Sequence, residues 1–264
     1  MPHAAAANFL AFTLMPLMEA AQTIRNAVAR VVALRLKAQA NPALHAATTA
    51  IKGFQAERFE ATYADLLASD EYAAATRFFL DELYSDKDYS LRDAQFARIA
   101  GALQTFFPAA VVATAVALAE LHVLTEELDL AMAEAWLADQ PGTDAERASV
   151  YIRAWKHVGR SEDRARQLEA VLTVGSELDR FTRKPGIRMM LRMMRRPANA
   201  AGLGSLQHFL EAGFDTFAGM SGNGNRAHTF LEIIQSRESY WIRQFFEQDT
   251  SATLALLRNT LSQR

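Results

Sequence analysis

The segment from Tyr72 to Ile99, YAAATRFFLDELYSDKDYSLRDAQFARI, constrains the fold of this chain more than any other stretch. Tyr72, Thr76, Phe79, Leu80, Leu83 and Tyr84 recur at i, i+4, i+7, i+8, i+11 and i+12, which is one apolar stripe on a helix of 3.6 residues per turn. Such a stripe is stable only when covered. Phe78 lies beside it and widens the apolar arc, as on a helix packed against more than one neighbour. Arg77 and Asp81 stand off the stripe at i, i+4, where an ion pair is expected. Ser85-Asp86-Lys87-Asp88 reads as a polar turn, and Ser90 with Asp93 has the form of a capping box opening the next helix.

The same period governs the rest of the chain. With 12 Gly and 7 Pro in 264 residues and no alternating apolar runs, the expectation is an all-α fold. It takes the form of a multi-helix bundle of about eight to ten helices, one compact domain over the whole length. Breaks are expected at Asn41-Pro42, Pro108, Gln140-Pro141-Gly142, Lys184-Pro185-Gly186, Arg196-Pro197 and Ser221-Gly222-Asn223-Gly224-Asn225. Thr143 with Glu146 forms a second candidate capping box.

FFLDELY, followed by a polar turn and RDAQF, resembles the bacterial family known for an FFLEELY motif. QAERFEATYADLL at Gln55 to Leu67 and GLGSLQHFLEAGFDTFAGM at Gly202 to Met220 are similar to the same family. The resemblance runs from about Ile51 to about Glu238. It implies a helical fold and a bacterial origin, and because that family has no established activity it implies no catalytic residue. Relatives usually carry Gly after the Tyr where this chain has Ser85, so a tight left-handed turn is not required there.

A chain of this length buries roughly 75% of its unfolded surface and needs no staples. The absence of cysteine excludes disulfides, thiolate catalysis and cysteine metal sites, and together with the lack of a secretory signal it favours the cytoplasm. Ala4 to Met18 is apolar and uncharged, but it has no basic leader, contains Pro16 and shows no small-residue cleavage pattern, so a packed first helix is expected there. The apolar run Ala109 to Ala119 stops at Glu120, short of the roughly 20 residues a bilayer needs. A net charge of −2 argues against nucleic acid as a partner.

Three groups of residues are candidates for chemistry. Between Arg180 and Arg196 the chain carries seven basic residues (Arg180, Arg183, Lys184, Arg188, Arg192, Arg195 and Arg196) and no Asp or Glu. After Gly186, Ile187, Met190, Leu191 and Met194 form one helical face and Arg188, Arg192 and Arg195 another. Together with Met189 and Met193, Arg188, Arg192, Arg195 and Arg196 are the expected surface for an apolar or anionic small molecule, an acidic protein partner or a peripheral membrane contact. The competing expectation is internal pairing with Glu120, Glu127 and Glu134.

The second group is His122, a weak metal or haem candidate on a largely apolar helix, where pairing with Glu126 at i+4 is the simpler expectation. No E-x-x-H or H-E-x-x-H pattern accompanies it, so no cofactor is implied beyond that possibility. The third is a buried polar network of Arg58, Tyr63, Asp81, Tyr84 and Arg92, in which Arg58 needs a carboxylate such as Asp81 or Asp93. Nucleotide-binding and nucleophile-elbow patterns are absent. The expected function is non-catalytic binding, with a haem or iron protein using His122, or a cofactor-free enzyme built on Arg58, Tyr63 and Asp81, as alternatives.

Overall fold

Proline and glycine set most of the helix boundaries, and the stretches between them are helical in the computed structural model. That model describes the chain apart from residues 1–2, 85–86, 88, 140–141, 144–145, 222–223 and 263–264, and apart from the side chains of residues 3–18, 104–106 and 221. Among the described residues there are twelve α-helices and no strand. The first six are α1 (His3–Gln39), α2 (Pro42–Thr62), α3 (Ala64–Leu67), α4 (Ala73–Leu83), α5 (Ser90–Phe106) and α6 (Ala109–Ala138). They are followed by α7 (Arg147–Val158), α8 (Ser161–Thr182), α9 (Ile187–Ala200), α10 (Gly204–Ser221), α11 (Arg226–Glu247) and α12 (Thr250–Leu261).

The count exceeds the expected eight to ten for local reasons. The helix expected to run through to Ala68 breaks at Tyr63, leaving α3 as a single turn. The helix expected after Gly186 does not stop before Pro197; it continues to Ala200, on an exposed stretch where water can take the carbonyl left without a partner, and the next helix begins at Gly204. The backbone of Ala4 to Met18 falls within α1, while the packing of its side chains lies outside the described residues, as does most of the Ser85 to Asp88 turn.

Caps follow the chemistry in places and depart from it in others. The Asn41 carboxamide accepts from the backbone N–H groups of Ala43 and Leu44 at 3.1 and 3.3 Å, with Pro42 at the first helical position. Gly159 ends α7 at φ 67°, a left-handed conformation that a side chain would strain. The Ser90–Asp93 box does not form: the N-cap of α5 is Tyr89, and Asp93 is 4% exposed and turned inward to other partners.

α6 packs on α1, α2, α7 and α8 and is the axis of the arrangement. It is long and apolar enough to cross a membrane by length and composition. Its two halves meet different surroundings. The C-terminal half enters a core of large rings, Phe54, Trp136, Tyr151, Trp155, Trp241 and Phe245, in which the Phe54 and Tyr151 rings lie 4.5 Å apart and the last four rings also border the cavity. The N-terminal half packs through Ala119 against α1 and α5 on one side and faces a cavity on the other. A further apolar cluster joins α4, α8, α10 and α11 through Phe79, Phe217 and Phe230. In α4, Phe79 is buried as the stripe requires, while Phe78 is half-buried and stacks on Phe209 of α10.

Candidate functional site

The helices enclose an apolar cavity of about 290 Å³, close to the lower end of the range for small-molecule sites. Its walls come from α4, α5, α6, α8, α9 and α10, with α2, α7 and α11 closing another side, and Phe96, Leu118, Val171 and Leu210 are representative of the apolar lining. These residues are half-buried because they face the space instead of a neighbouring side chain. Gly213 helps to shape it, since a Cβ there would come within 3.2 Å of the Phe78 ring.

One end of the cavity is polar. Arg58 and Glu238, on α2 and α11, are both buried and form a two-pronged pair at 3.1 and 2.8 Å, and the Tyr63 hydroxyl donates to the same carboxylate at 3.1 Å. Burial pushes the Tyr63 phenol well above its ordinary value, with the Glu238 charge acting the same way. Tyr84 stacks on Phe59 at 4.4 Å, and burial raises its phenol too. The polar network expected from sequence therefore exists in part, but its carboxylate is Glu238. Asp81 lies on the outside, paired with Lys87 at 3.3 Å and not with Arg77, and its backbone carbonyl accepts from the Tyr89 hydroxyl. Arg92 donates to Glu82 at 2.7 Å and covers the rings of Tyr89 and Phe209. Burial lifts the Glu82 carboxyl above its ordinary value.

Arg164, at the start of α8, is different from every other buried base here. It is 7% exposed and lines the cavity, yet it makes no ion pair among the described residues. Its guanidinium lies over the Trp155 ring at 4.3 Å and donates through Nη1 to the Gln167 side chain at 3.1 Å. Burial pushes its pKa down, opposed chiefly by the charge of Asp129. Nη2 has no hydrogen-bond partner. Among the described residues, four buried side-chain atoms lack a partner: Arg58 Nε, Tyr151 Oη, Trp155 Nε1 and Arg164 Nη2. All four belong to residues that line this one cavity.

His122 also meets the cavity, from α6. Its Nε2 lies 3.0 Å from Asp93 and 3.3 Å from the Arg35 guanidinium, so its carboxylate is Asp93 and not the expected Glu126. Glu126 instead accepts from Arg35 at 2.8 Å and from Lys52 at 3.1 Å. Although burial raises the pKa of both carboxyls, their partners outweigh it, the hydrogen bond from His122 and the Arg35 charge at Asp93 and the Lys52 and Arg35 charges at Glu126; both end below the ordinary range. Asp129, fully buried with Gln55 donating to it at 3.1 Å, is pushed up by burial. Among the described residues no group of three or more His, Asp or Glu side chains could hold a metal ion.

Of the basic segment, Arg180 and Arg183 pair with Glu177 and Asp179 of α8, while Arg188, Arg192, Arg195 and Arg196 lie on α9; Glu127 and Glu134 pair elsewhere, with Arg30 and Lys37. Arg188 and Arg195 are instead held by Asp215 at 2.9 Å and Glu211 at 2.6 Å, both on α10. Arg192 and Arg196 are exposed. Met189 and Met193 are 63% and 65% exposed.

Sequence reasoning passed over Arg164, Tyr151, Trp155 and Glu238. A signal for two of them was present. Arg164 shares the helical face of Leu168, Val171 and Gly175, and Glu238 that of Ile234, Trp241 and Phe245, so each is a charge set into an apolar stripe.

A family model described as a domain of unknown function (DUF8198) matches residues 34–252. No curated protein and no solved structure matches the chain.

Proposed function

We propose a function for this chain from the premise that it belongs to the DUF8198 family, whose description names no activity: it binds an amphiphile, with the apolar body in the cavity and an anionic head at Arg164. The observation that carries this reading is the guanidinium of Arg164, buried without a carboxylate and with Nη2 unpartnered in the wall of an apolar space. Burying an arginine with no carboxylate in direct contact is costly even with the Asp129 charge nearby, and proteins rarely leave such a donor unpaired. A carboxylate or phosphate at this point would complete it, with the Tyr151 hydroxyl available as a further donor. The apolar lining would take a hydrocarbon body.

The test is direct. Organic extraction of the purified protein, followed by mass spectrometry, is expected to yield a copurifying acidic amphiphile. A long-chain fatty acid should displace a fluorescent fatty-acid probe, and Arg164→Leu should weaken that binding on the order of 100-fold while the protein stays folded. Equal binding by wild type and Arg164→Leu, or equal binding of the corresponding fatty alcohol, would overturn it. Haem ligation through His122 has less to support it, because Nε2 is already engaged by Asp93 and Arg35. A catalytic reading on Arg58, Tyr63 and Asp81 has less still, since Asp81 is paired with Lys87 and Arg58 and Tyr63 are both committed to Glu238.

A further inference from the structure

α9 has two unlike faces. Ile187, Met190 and Leu191 point inward and form part of the cavity wall, and the helix is fastened to α10 by the Gln207 side chain, which donates to the Leu191 carbonyl at 2.7 Å. The other side carries Met189, Arg192, Met193 and Arg196 at i, i+3, i+4 and i+7, so two exposed thioethers and two guanidinium groups share one stripe. The arginines bordering this stripe, Arg188 and Arg195, are tied to α10, but Arg192 and Arg196 have no ion pair or hydrogen bond among the described residues. No acidic residue occurs between Arg180 and Arg196 to balance them. The segment enters α9 through Gly186 at φ 92°, a left-handed backbone that sets α9 off from α8 as a separate helix.

We propose that this stripe docks on the surface of a bilayer containing anionic lipid, with Arg192 and Arg196 at the headgroup phosphates and Met189 and Met193 inserted between them. Charge complementarity selects an anionic partner, and unbranched, adaptable methionine side chains next to arginine suit the boundary between headgroups and acyl chains. The bilayer is favoured over an acidic protein because the opposite face of the same helix walls a cavity shaped for an apolar ligand, and a membrane is where such a ligand resides. The choice of bilayer rests on the cavity reading; the contact itself does not. α9 would then stand between reservoir and site, one helix thick.

The experiment uses the full chain and sedimentation with vesicles of phosphatidylcholine alone or mixed with phosphatidylglycerol. The protein is expected to sediment with the mixed vesicles only, and added salt should release it. Arg192→Gln with Arg196→Gln, and separately Met189→Ser with Met193→Ser, should each weaken the partition about 10-fold or more, with circular dichroism unchanged. Absence of vesicle binding, equal binding to neutral vesicles, or wild-type binding by both double variants would overturn the proposal. So would finding that the stripe instead joins two copies, seen as a mass by light scattering that falls in the methionine variant, or that it binds polyglutamate but not vesicles. Arg164→Leu separates the two readings: it should keep vesicle binding while losing the fatty acid. Wild-type protein that docks on mixed vesicles but takes up no fatty acid overturns only the cavity assignment, and wild-type protein that takes up the fatty acid but does not dock overturns only the surface.

Discussion

The two ends of α6 lie in the same protein and are treated differently. At its C-terminal end large rings fill the space around Phe54, which lies between Trp136 and Tyr151, while Tyr151, Trp155, Trp241 and Phe245 pack on one another and also form a wall of the cavity. At its N-terminal end helices of similar pattern leave about 290 Å³ open, and their apolar residues are only half-buried. Dispersion and the removal of water stabilise the first region fully. In the second, part of that stabilisation is forgone. The open space and the arginine beside it that has no ion pair among the described residues are what the proposed ligand would fill and complete.

The contrast can be broken most forcefully at the paired arginine. Glu238→Ala leaves Arg58 buried without its counter-charge and should destabilise the protein by about 3–5 kcal/mol in urea unfolding. In the filled end, Phe54→Ala should lose about 3–5 kcal/mol, whereas Phe96→Ala on the cavity wall should lose less than half as much, because one side of that ring has no partner to begin with. Arg164→Leu is expected to go the other way, raising stability by about 1–3 kcal/mol while destroying fatty-acid binding, the mark of a charge kept for a ligand. A loss of stability there would mean that Arg164 holds the fold together.

Acid sharpens the comparison further. The Asp93 and Glu126 carboxyls titrate below their ordinary values, so their contribution is present above pH 4 to 5 and is lost as pH falls through the depressed folded values. Asp129 is raised, so its effect has the opposite sign: folding is favoured below its ordinary value and the advantage disappears as pH rises through the raised one. Asp129→Asn should therefore stabilise by about 1 kcal/mol at neutral pH and by nothing in acid, read from melting temperatures across the range. The smallest effect should come from Gly213→Ala, under about 1 kcal/mol, because the Phe78 ring that the new Cβ meets at 3.2 Å has the cavity to move into.

Much of the helical layout was legible because apolar spacing and proline placement act locally: the stripe through Phe79 and Tyr84, the end of α1 before Pro42 and the start of α6 after Pro108 need no knowledge of neighbours. Partners were not legible. That Arg58 requires a carboxylate follows from its position beside an apolar stripe, but that the carboxylate is Glu238, 180 residues further along, depends on α11 crossing α2. His122 could be seen to need an anion, and the nearest in sequence, Glu126, belongs to Arg35 and Lys52 instead. Arg164 went unnoticed because it follows the polar run Ser161-Glu162-Asp163, where a polar first turn is the ordinary expectation.

The order of residues by itself determined that this chain is helical, roughly where its helices start and stop, and that α9 would be basic on one side and apolar on the other, since each of these is a property of a few adjacent turns. Only the packing of distant helices decided which charges found partners, which one was left alone, and that the space beside it stayed open. Burial and vacancy are properties of assembled surfaces, and no single helix contains them.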